Sequence, residues 1–257
     1  MKNALIGYTG FVGSTLLTQT EFEDLFNSKN IQDISGKAYN TLVCAGAPAV
    51  KWKANQDPHG DLENLQLLMN RLADVKAERV ILISTVDVYQ KPKGVDERTS
   101  INPEITDPYG KHRYYLEEFV AKQFENVHIV RLPGLFGKGL KKNFIYDMMH
   151  ENCLHLTHYK SRFQFYDLSN LWSDIQKVVA HDLRLVNIST EPVSAEEIAV
   201  EVFQRQFNNE TEKQPVDYDM KSMYSSLLGG ENGYLYSKAE VMNQIKEFVM
   251  KERNVLS

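Results

Sequence analysis

The first half of the chain alternates between two hydrophobic textures. Short aliphatic runs occur at Ala4–Ile6, Leu42–Ala45, Val80–Ser84 and Val127–Leu132, without polar alternation. Strands covered on both faces of a parallel sheet read this way. Between these runs lie segments of helical spacing. Phe11–Phe26 opens beside Ser14 and Thr15, and Asp61–Ala73 carries Leu62, Leu65, Leu68, Met69 and Leu72. Tyr109–Phe124 places Leu116, Phe119, Val120 and Phe124 on one side. Apolar residues three and four apart form the buried face of a helix. Strands alternating with helices predict βαβ units around a parallel sheet.

The second half is less regular. Phe144–Glu151 and Ala195–Phe207 have helical spacing, and Ser194 with Glu197 makes a capping-box pattern before the latter. Val186–Ile188 reads as a short strand, Phe207–Pro215 as an exposed polar loop, and Ser237–Lys251 as an amphipathic helix. No internal repeat or low-complexity linker interrupts the chain. The expected organisation is a large domain over residues 1–137 and a small cap over residues 138–257, partly interwoven with it.

Composition narrows the function classes. The 257 residues hold 29 Lys and Arg against 34 Asp and Glu, a formal net charge of −5. That balance argues against a broad basic surface, so nucleic acid is not an expected partner. Cys44 and Cys153 are too few for a disulfide framework and suit a reducing, cytoplasmic setting. No apolar run approaches the roughly 18 residues a membrane span needs. The first strand runs from Met1 straight into a glycine turn, so no secretory leader is expected. His150, His155 and His158 have neither Cys partners nor a helical His pair, so no metal is expected.

The glycine turn is the first chemical signal. Gly7-Tyr8-Thr9-Gly10-Phe11-Val12-Gly13 directly follows the first strand and opens the first helix. Glycines permit a tight turn and a close backbone approach, and the helix start presents free N–H groups to a pyrophosphate. Gly7, Thr9, Gly10, Phe11, Val12 and Gly13 are thus candidate cofactor contacts. A tight turn without a ligand is the plainer alternative.

The Gly-x-x-Gly-x-x-Gly spacing resembles the short-chain dehydrogenase/reductase superfamily, specifically its extended branch of nucleotide-sugar epimerases and dehydratases. More of that pattern follows in order. Leu42-Val43-Cys44-Ala45-Gly46-Ala47 is similar to a strand ending in small residues beside the cofactor, and Asp57-Pro58 with Asn64 to an Asp-Pro…Asn segment. Ile83-Ser84-Thr85-Val86-Asp87-Val88-Tyr89 resembles the strand bearing the active-site Ser/Thr, and Pro108-Tyr109-Gly110-Lys111 the active-site helix start. Arg131-Leu132-Pro133-Gly134-Leu135-Phe136-Gly137 resembles the Arg-Pro…Gly segment, with weaker echoes at Phe163–Trp172 and Asn187–Ile198.

The resemblance implies a Rossmann-like, doubly wound parallel α/β sheet with a small C-terminal α/β substrate cap. It implies NAD or NADP as cofactor, with Ala45, Gly46, Ala47, Asn64, Ser84, Tyr109, Arg113, Leu132 and Pro133 among its contacts. Residues 14–41 leave room for one helix and one strand only, so the adenosine half is abridged. The acidic residue expected about 20 residues past the glycines has no clear counterpart. Asn27 and Ser28 lie near that position, and Ser28 with Lys29 suits a 2′-phosphate. They serve equally well as exposed loop polars, so NAD against NADP stays open.

In the family a Tyr is the acid/base, a Ser/Thr orients the substrate oxygen, and a Lys four residues after the Tyr supplies charge. A free phenol has a pKa near 10, so a phenolate at neutral pH needs a nearby cation. Tyr109 and Thr85 match that pattern, but Arg113 stands at the Lys position. Lys111 is no substitute, because residues two apart on a helix do not share a face. Either Arg113 does the work of the Lys with altered geometry, or catalysis has lapsed and only nucleotide binding remains. Tyr109 and Arg113 as ordinary helix residues is the plainest reading.

The dehydratases of the branch carry Thr-Asp-Glu where this chain has Thr85-Val86-Asp87, and Val86 has no proton to give. Asp87, Lys141 and Asn143 are candidate substrate contacts. Lys51, Lys53, Lys138 and Lys142 flank the same regions, where scattered surface lysines are the commoner explanation. The expectation is an NAD(P)-dependent oxidoreductase or epimerase moving hydride at a carbinol or carbonyl of a small molecule, a nucleotide sugar being one candidate. A silent NAD(P)-binding sensor on the same fold is the alternative. Dimers in the resembling family form through two helices matching Asp61–Ala73 and Tyr109–Phe124, which makes a homodimer one expectation.

Overall fold

The computed structural model describes residues 2–256, with side chains through residue 253. It divides into two compact units. The first comprises residues 1–90, 99–131 and 171–186, and the second residues 91–98, 132–170 and 187–257. Segment exchange is thus more extensive than a division after residue 137 provides. Residues 171–186 return to the first unit, and residues 91–98 join the second.

The first unit is built on six parallel strands: β1 (Lys2–Ile6), β2 (Asp24–Phe26), β3 (Ala38–Cys44), β4 (Lys76–Thr85), β5 (Val127–Leu132) and β6 (Leu185–Asn187). Their spatial order is β6-β5-β4-β3-β1-β2. Ile6 pairs with Cys44 and Leu42 with Val80, so the aliphatic runs lie side by side. Every residue of β5 is buried, as an unalternating run requires.

Five helices accompany these strands: α1 (Phe11–Leu16), α2 (Lys51–Gln56), α3 (Pro58–Leu72), α4 (Pro108–Gln123) and α5 (Leu171–Ala180). The expected stripe of α3 turns Leu65, Leu68 and Leu72 into the core, and α4 adds Leu116 and Val120. Full burial of each such side chain stabilises by about 1.5–3 kcal/mol.

The helix expected over Phe11–Phe26 is corrected: it stops at Leu16, and Asp24–Phe26 is strand β2. Hydroxyls explain the early end. Thr15 Oγ1 donates to the Phe11 carbonyl at 2.9 Å and Thr18 Oγ1 to the Thr15 carbonyl at 2.7 Å. Such bonds compete with the helical ladder. The backbone then tightens to i→i−3 bonds at Thr18 and Gln19, and the helix closes. One helix, one strand and a single 3₁₀ turn (Ile31–Ile34) fill the space before β3, so the half is abridged as counted. Past the end of α1, a cavity of about 350 Å3 opens among Asn3, Phe22, Thr41, Arg79 and Trp172, and no expected site residue lines it.

Among the described residues the second unit holds three α-helices, Phe144–His150, Ala195–Phe203 and Lys238–Leu256, with three two-stranded pairings. Its core gathers Phe136, Phe144, Ile198, Val241 and Ile245. The Ser194–Glu197 capping box is present in both directions. The helix from Ala195 ends four residues before Phe207, and Phe207 is not an exposed loop residue. It is 7% exposed and packs on the Phe144 ring at 5.1 Å.

Candidate active site

The turn after β1 is shaped by close backbone approach. Gly7 has φ +87°, and a Cβ there would lie 2.2 Å from the Ala45 carbonyl oxygen. A Cβ on Gly13 would lie 2.1 Å from the Gly7 oxygen. Both positions therefore accept only glycine. Gly10 and Thr9 stand exposed at the tip, and Gly10 opens α1 with no side-chain cap. The first N–H groups of α1, on Phe11, Val12 and Gly13, have no partner within the helix.

The other expected cofactor contacts are dispersed. Ala45, Gly46 and Ala47 follow β3, where Ala45 N–H donates to the Ile6 carbonyl at 2.9 Å. Asn27 and Ser28 follow β2, and Asn27 Oδ1 is occupied by the Lys29 N–H at 2.9 Å. Asn64 lies exposed on α3 and donates to the Gly60 carbonyl. Ser84 turns inward and donates to Glu117 Oε1 at 2.5 Å. Leu132 closes β5. Pro133, Lys141 and Asn143 belong to the second unit. There Lys141 is exposed, and Asn143 caps a helix by accepting from the Tyr146 N–H and donating to the Leu135 carbonyl.

Tyr109, Thr85 and Arg113 come together. Tyr109 stands in the first turn of α4 and is 8% exposed. Thr85, at the end of β4, stands near enough to act on the phenol, which it favours in the ionised form. Thr85 Oγ1 accepts from the Asp87 N–H at 3.1 Å. A Cβ on Gly110 would lie 1.9 Å from the Asp87 carbonyl oxygen. Glycine after Tyr109 is what lets α4 press against the Thr85 turn.

Arg113 reaches Tyr109 as i+4 geometry requires, but at the ring face rather than the phenol oxygen. Its guanidinium carbon sits 3.9 Å from the ring centroid. It also holds Asp61 with two hydrogen bonds of 2.5 and 2.9 Å and donates to the Pro48 carbonyl. His112 joins the same carboxylate at 2.8 Å. Burial pushes the Asp61 carboxyl up, but the Arg113 and His112 hydrogen bonds win and hold it below its ordinary value. Lys111 pairs with Glu104 at 3.1 Å, outside this group.

Burial dominates Tyr109 and raises its phenol above the ordinary range. Arg113 opposes that shift, Asp87 adds to it, and Lys51 and Thr85 oppose it further. Lys51 forms an ion pair with Asp87 at 2.8 Å. Asp61 and Asn55, whose Oδ1 accepts from the Tyr109 N–H at 3.0 Å, are the residues that motif matching misses. A buried arginine demands a carboxylate, but no spacing along the chain singles out Asp61 on α3 as that partner.

The whole chain has close structural counterparts. It superimposes on MoeE5 in complex with UDP-glucose and NAD with a TM-score of 0.77, 17% identity and full coverage of both chains. The fold is that of the extended short-chain dehydrogenases/reductases. A dTDP-4-dehydrorhamnose reductase from Bacillus anthracis in complex with NADP matches this fold at TM-score 0.75 and 18% identity, covering 97% of this chain and 98% of its own. UDP-glucose 4-epimerase from Thermotoga maritima with UDP-glucose matches at 0.74 and 14%, with full coverage of both. No protein-family model and no curated protein matches the sequence.

Proposed function

We propose that the chain is an NAD(P)-dependent oxidoreductase or epimerase that acts on a carbinol or carbonyl carbon of a nucleotide sugar. The observation that carries this reading is the buried Tyr109, with Arg113 stacked on its ring and the Thr85 turn held beside its helix at Gly110. The glycine turn fits a dinucleotide. Gly7 and Gly13 exclude side chains, so the main chain alone faces the phosphates, and the uncapped start of α1 offers N–H groups to them. A nicotinamide bound there supplies or accepts hydride.

The chain's own residues then handle the proton. Tyr109 Oη gives a proton to the substrate oxygen in reduction and takes it back in oxidation, while Thr85 orients that oxygen. Arg113 and Lys51 favour the phenolate that oxidation requires. Val86 is buried and carries no proton, which favours reduction or epimerisation over dehydration. MoeE5 and the Thermotoga epimerase, in complex with UDP-sugars, support the substrate class. Among the described residues no helix is long and apolar enough to cross a membrane.

A second reading has its own support. Asp61 neutralises Arg113, and burial favours the neutral phenol, so the fold also suits a binding protein without turnover. The Tyr109→Phe variant separates the two. It is expected to bind NAD or NADP as wild type does and to lose about 10²–10⁴-fold in turnover with a nucleotide sugar. A wild-type chain that binds cofactor but transfers no hydride across a panel of nucleotide sugars leaves the binding protein standing.

A further inference from the structure

The floor of the cavity past α1 breaks the pattern of its own sheet. Asn3 on β1 pairs in register with Thr41 on β3, and Thr41 with Arg79 on β4. Register partners in a sheet point to the same face, so the three side chains form one polar row across neighbouring strands. Two residues on along each strand, Leu5, Val43 and Ile81 make the next row of that face, and all three are buried. Strands covered on both faces of a parallel sheet are expected to be aliphatic throughout. The Asn3–Thr41–Arg79 row departs from that rule beneath a helix.

Helix α5 roofs the row with Trp172, Ile175 and Val179, which share one helical face. Phe22, from the segment after α1, forms a side wall and meets the Trp172 ring edge-on at 6.1 Å. The Trp172 backbone N–H donates to Gln19 Oε1 at 2.9 Å, which anchors that wall. The volume of about 350 Å3 falls in the range of about 300–1,000 Å3 that holds small ligands. All of the lining belongs to the first unit. Along the strands, Gly7 lies roughly 13 Å beyond Asn3, and Thr85 roughly 20 Å beyond Arg79. The cavity is therefore separate from the glycine turn and from Tyr109.

Arg79 gives the cavity its chemistry. It is half-buried, and neither its Nε nor the Asn3 Oδ1 has a hydrogen-bond partner. Asp24 pairs with Lys2 and Lys37, and Glu23 accepts from the Asn3 N–H, so both acids are engaged elsewhere. Glu21, the one acid among the described lining residues, is exposed. Taking a guanidinium out of water costs free energy that a bound anion returns. Its planar fork matches a carboxylate through two hydrogen bonds. Arg79 is the one cation among the described lining residues, which suits a single negative charge better than a phosphate dianion. The Trp172 and Phe22 rings suit a flat apolar body. We propose that this cavity is a second binding site, for a small aromatic carboxylic acid whose carboxylate meets Arg79 and whose ring lies against Trp172 and Phe22. The site stands whether or not Tyr109 is the acid/base.

The test follows the indole N–H resonance of Trp172 in the nitrogen-labelled full chain, with cinnamate as the probe. The chain has two tryptophans, and Trp52, exposed on α2, is the remote reference. Trp52→Phe assigns the two signals. Cinnamate is expected to shift the Trp172 signal saturably and to leave Trp52 unmoved. The uncharged cinnamamide should bind about tenfold more weakly, as the loss of a hydrogen bond to a charged group implies. Arg79→Met should bring cinnamate down to the amide while the amide binds as in the parent, which separates a lost charge from a lost fold. Glu21→Gln should not weaken cinnamate binding, and NAD or NADP should not displace it. The site is overturned if the parent shows no Trp172 shift, if acid and amide bind alike, or if either dinucleotide competes. A shift seen only in Glu21→Gln overturns it as well, because the chain's own carboxylate then holds Arg79.

Discussion

One turn apart on α4, Arg113 and Glu117 each enter a buried arginine–carboxylate pair beside a tyrosine. In the Glu117 cluster, Arg131 bonds the carboxylate through Nε and a terminal nitrogen and gives its other terminal nitrogen to Tyr89 Oη at 2.8 Å. Ser84 completes it from β4. In the Arg113 cluster the guanidinium holds Asp61 but meets Tyr109 on the ring face, and Arg113 Nε has no hydrogen-bond partner. The parts are the same and the outcomes differ. A guanidinium on the phenol oxygen occupies it as an acceptor, whereas one on the ring face does not engage that oxygen. The Glu117 cluster reads as closed scaffold, the Arg113 cluster as a site.

The largest effect is expected from Glu117→Ala. Both partners of that pair are almost fully buried, so the change strands the Arg131 charge in the core. Breaking a buried pair from one side costs about 3–5 kcal/mol. Urea unfolding should show a loss of that size. A loss below about 1 kcal/mol would mean that the cluster is not the scaffold described.

Asp61→Asn comes next, because the Pro48 and Tyr109 carbonyls still receive Arg113. Losing hydrogen bonds to a charged group costs about 1.5–3 kcal/mol at neutral pH. The pH dependence identifies the cause. The folded carboxyl of Asp61 lies below its ordinary value, so its stabilisation is complete above about pH 4. It is lost as pH falls through the lower, folded value. The wild type should lose stability across that acid window, and Asp61→Asn should lose less. Parallel curves for the two proteins would remove Asp61 from the account of acid sensitivity.

How much of these clusters is legible in sequence depends on distance along the chain. Tyr109 and Arg113 lie on one helix, so i+4 spacing alone brings them together. The Thr85 turn follows from strand order in a parallel sheet. Asp61 meets Arg113 from another helix, and no local pattern specifies that meeting. The sheet itself is legible because unalternating aliphatic runs have few other uses, and the abridged half follows from chain length. The end of α1 is not, because hydroxyl back-bonding at Thr15 and Thr18 rather than apolar spacing decides it. The stripe Leu171, Ile175 and Val178 is the signal that reveals α5. The side-chain roles of Asn143 and Ser84 need coordinates, since a cap or a buried bond looks like a ligand contact in one dimension.

Ser84 carries the smallest expected effect and the finest division between the two clusters. By motif it belongs with Thr85 beside the cofactor, and by geometry it belongs with Glu117. Glu117 keeps both Arg131 bonds when the hydroxyl is removed, so no charge is stranded. Ser84→Ala should therefore cost about 1.5 kcal/mol, the low end for a hydrogen bond to a charged group. Affinity for NAD or NADP, measured by calorimetry, should stay as in wild type. A tenfold loss of affinity with unchanged stability would move Ser84 from the scaffold to the site. The boundary between the clusters would then run between Ser84 and Glu117 rather than between Thr85 and Ser84.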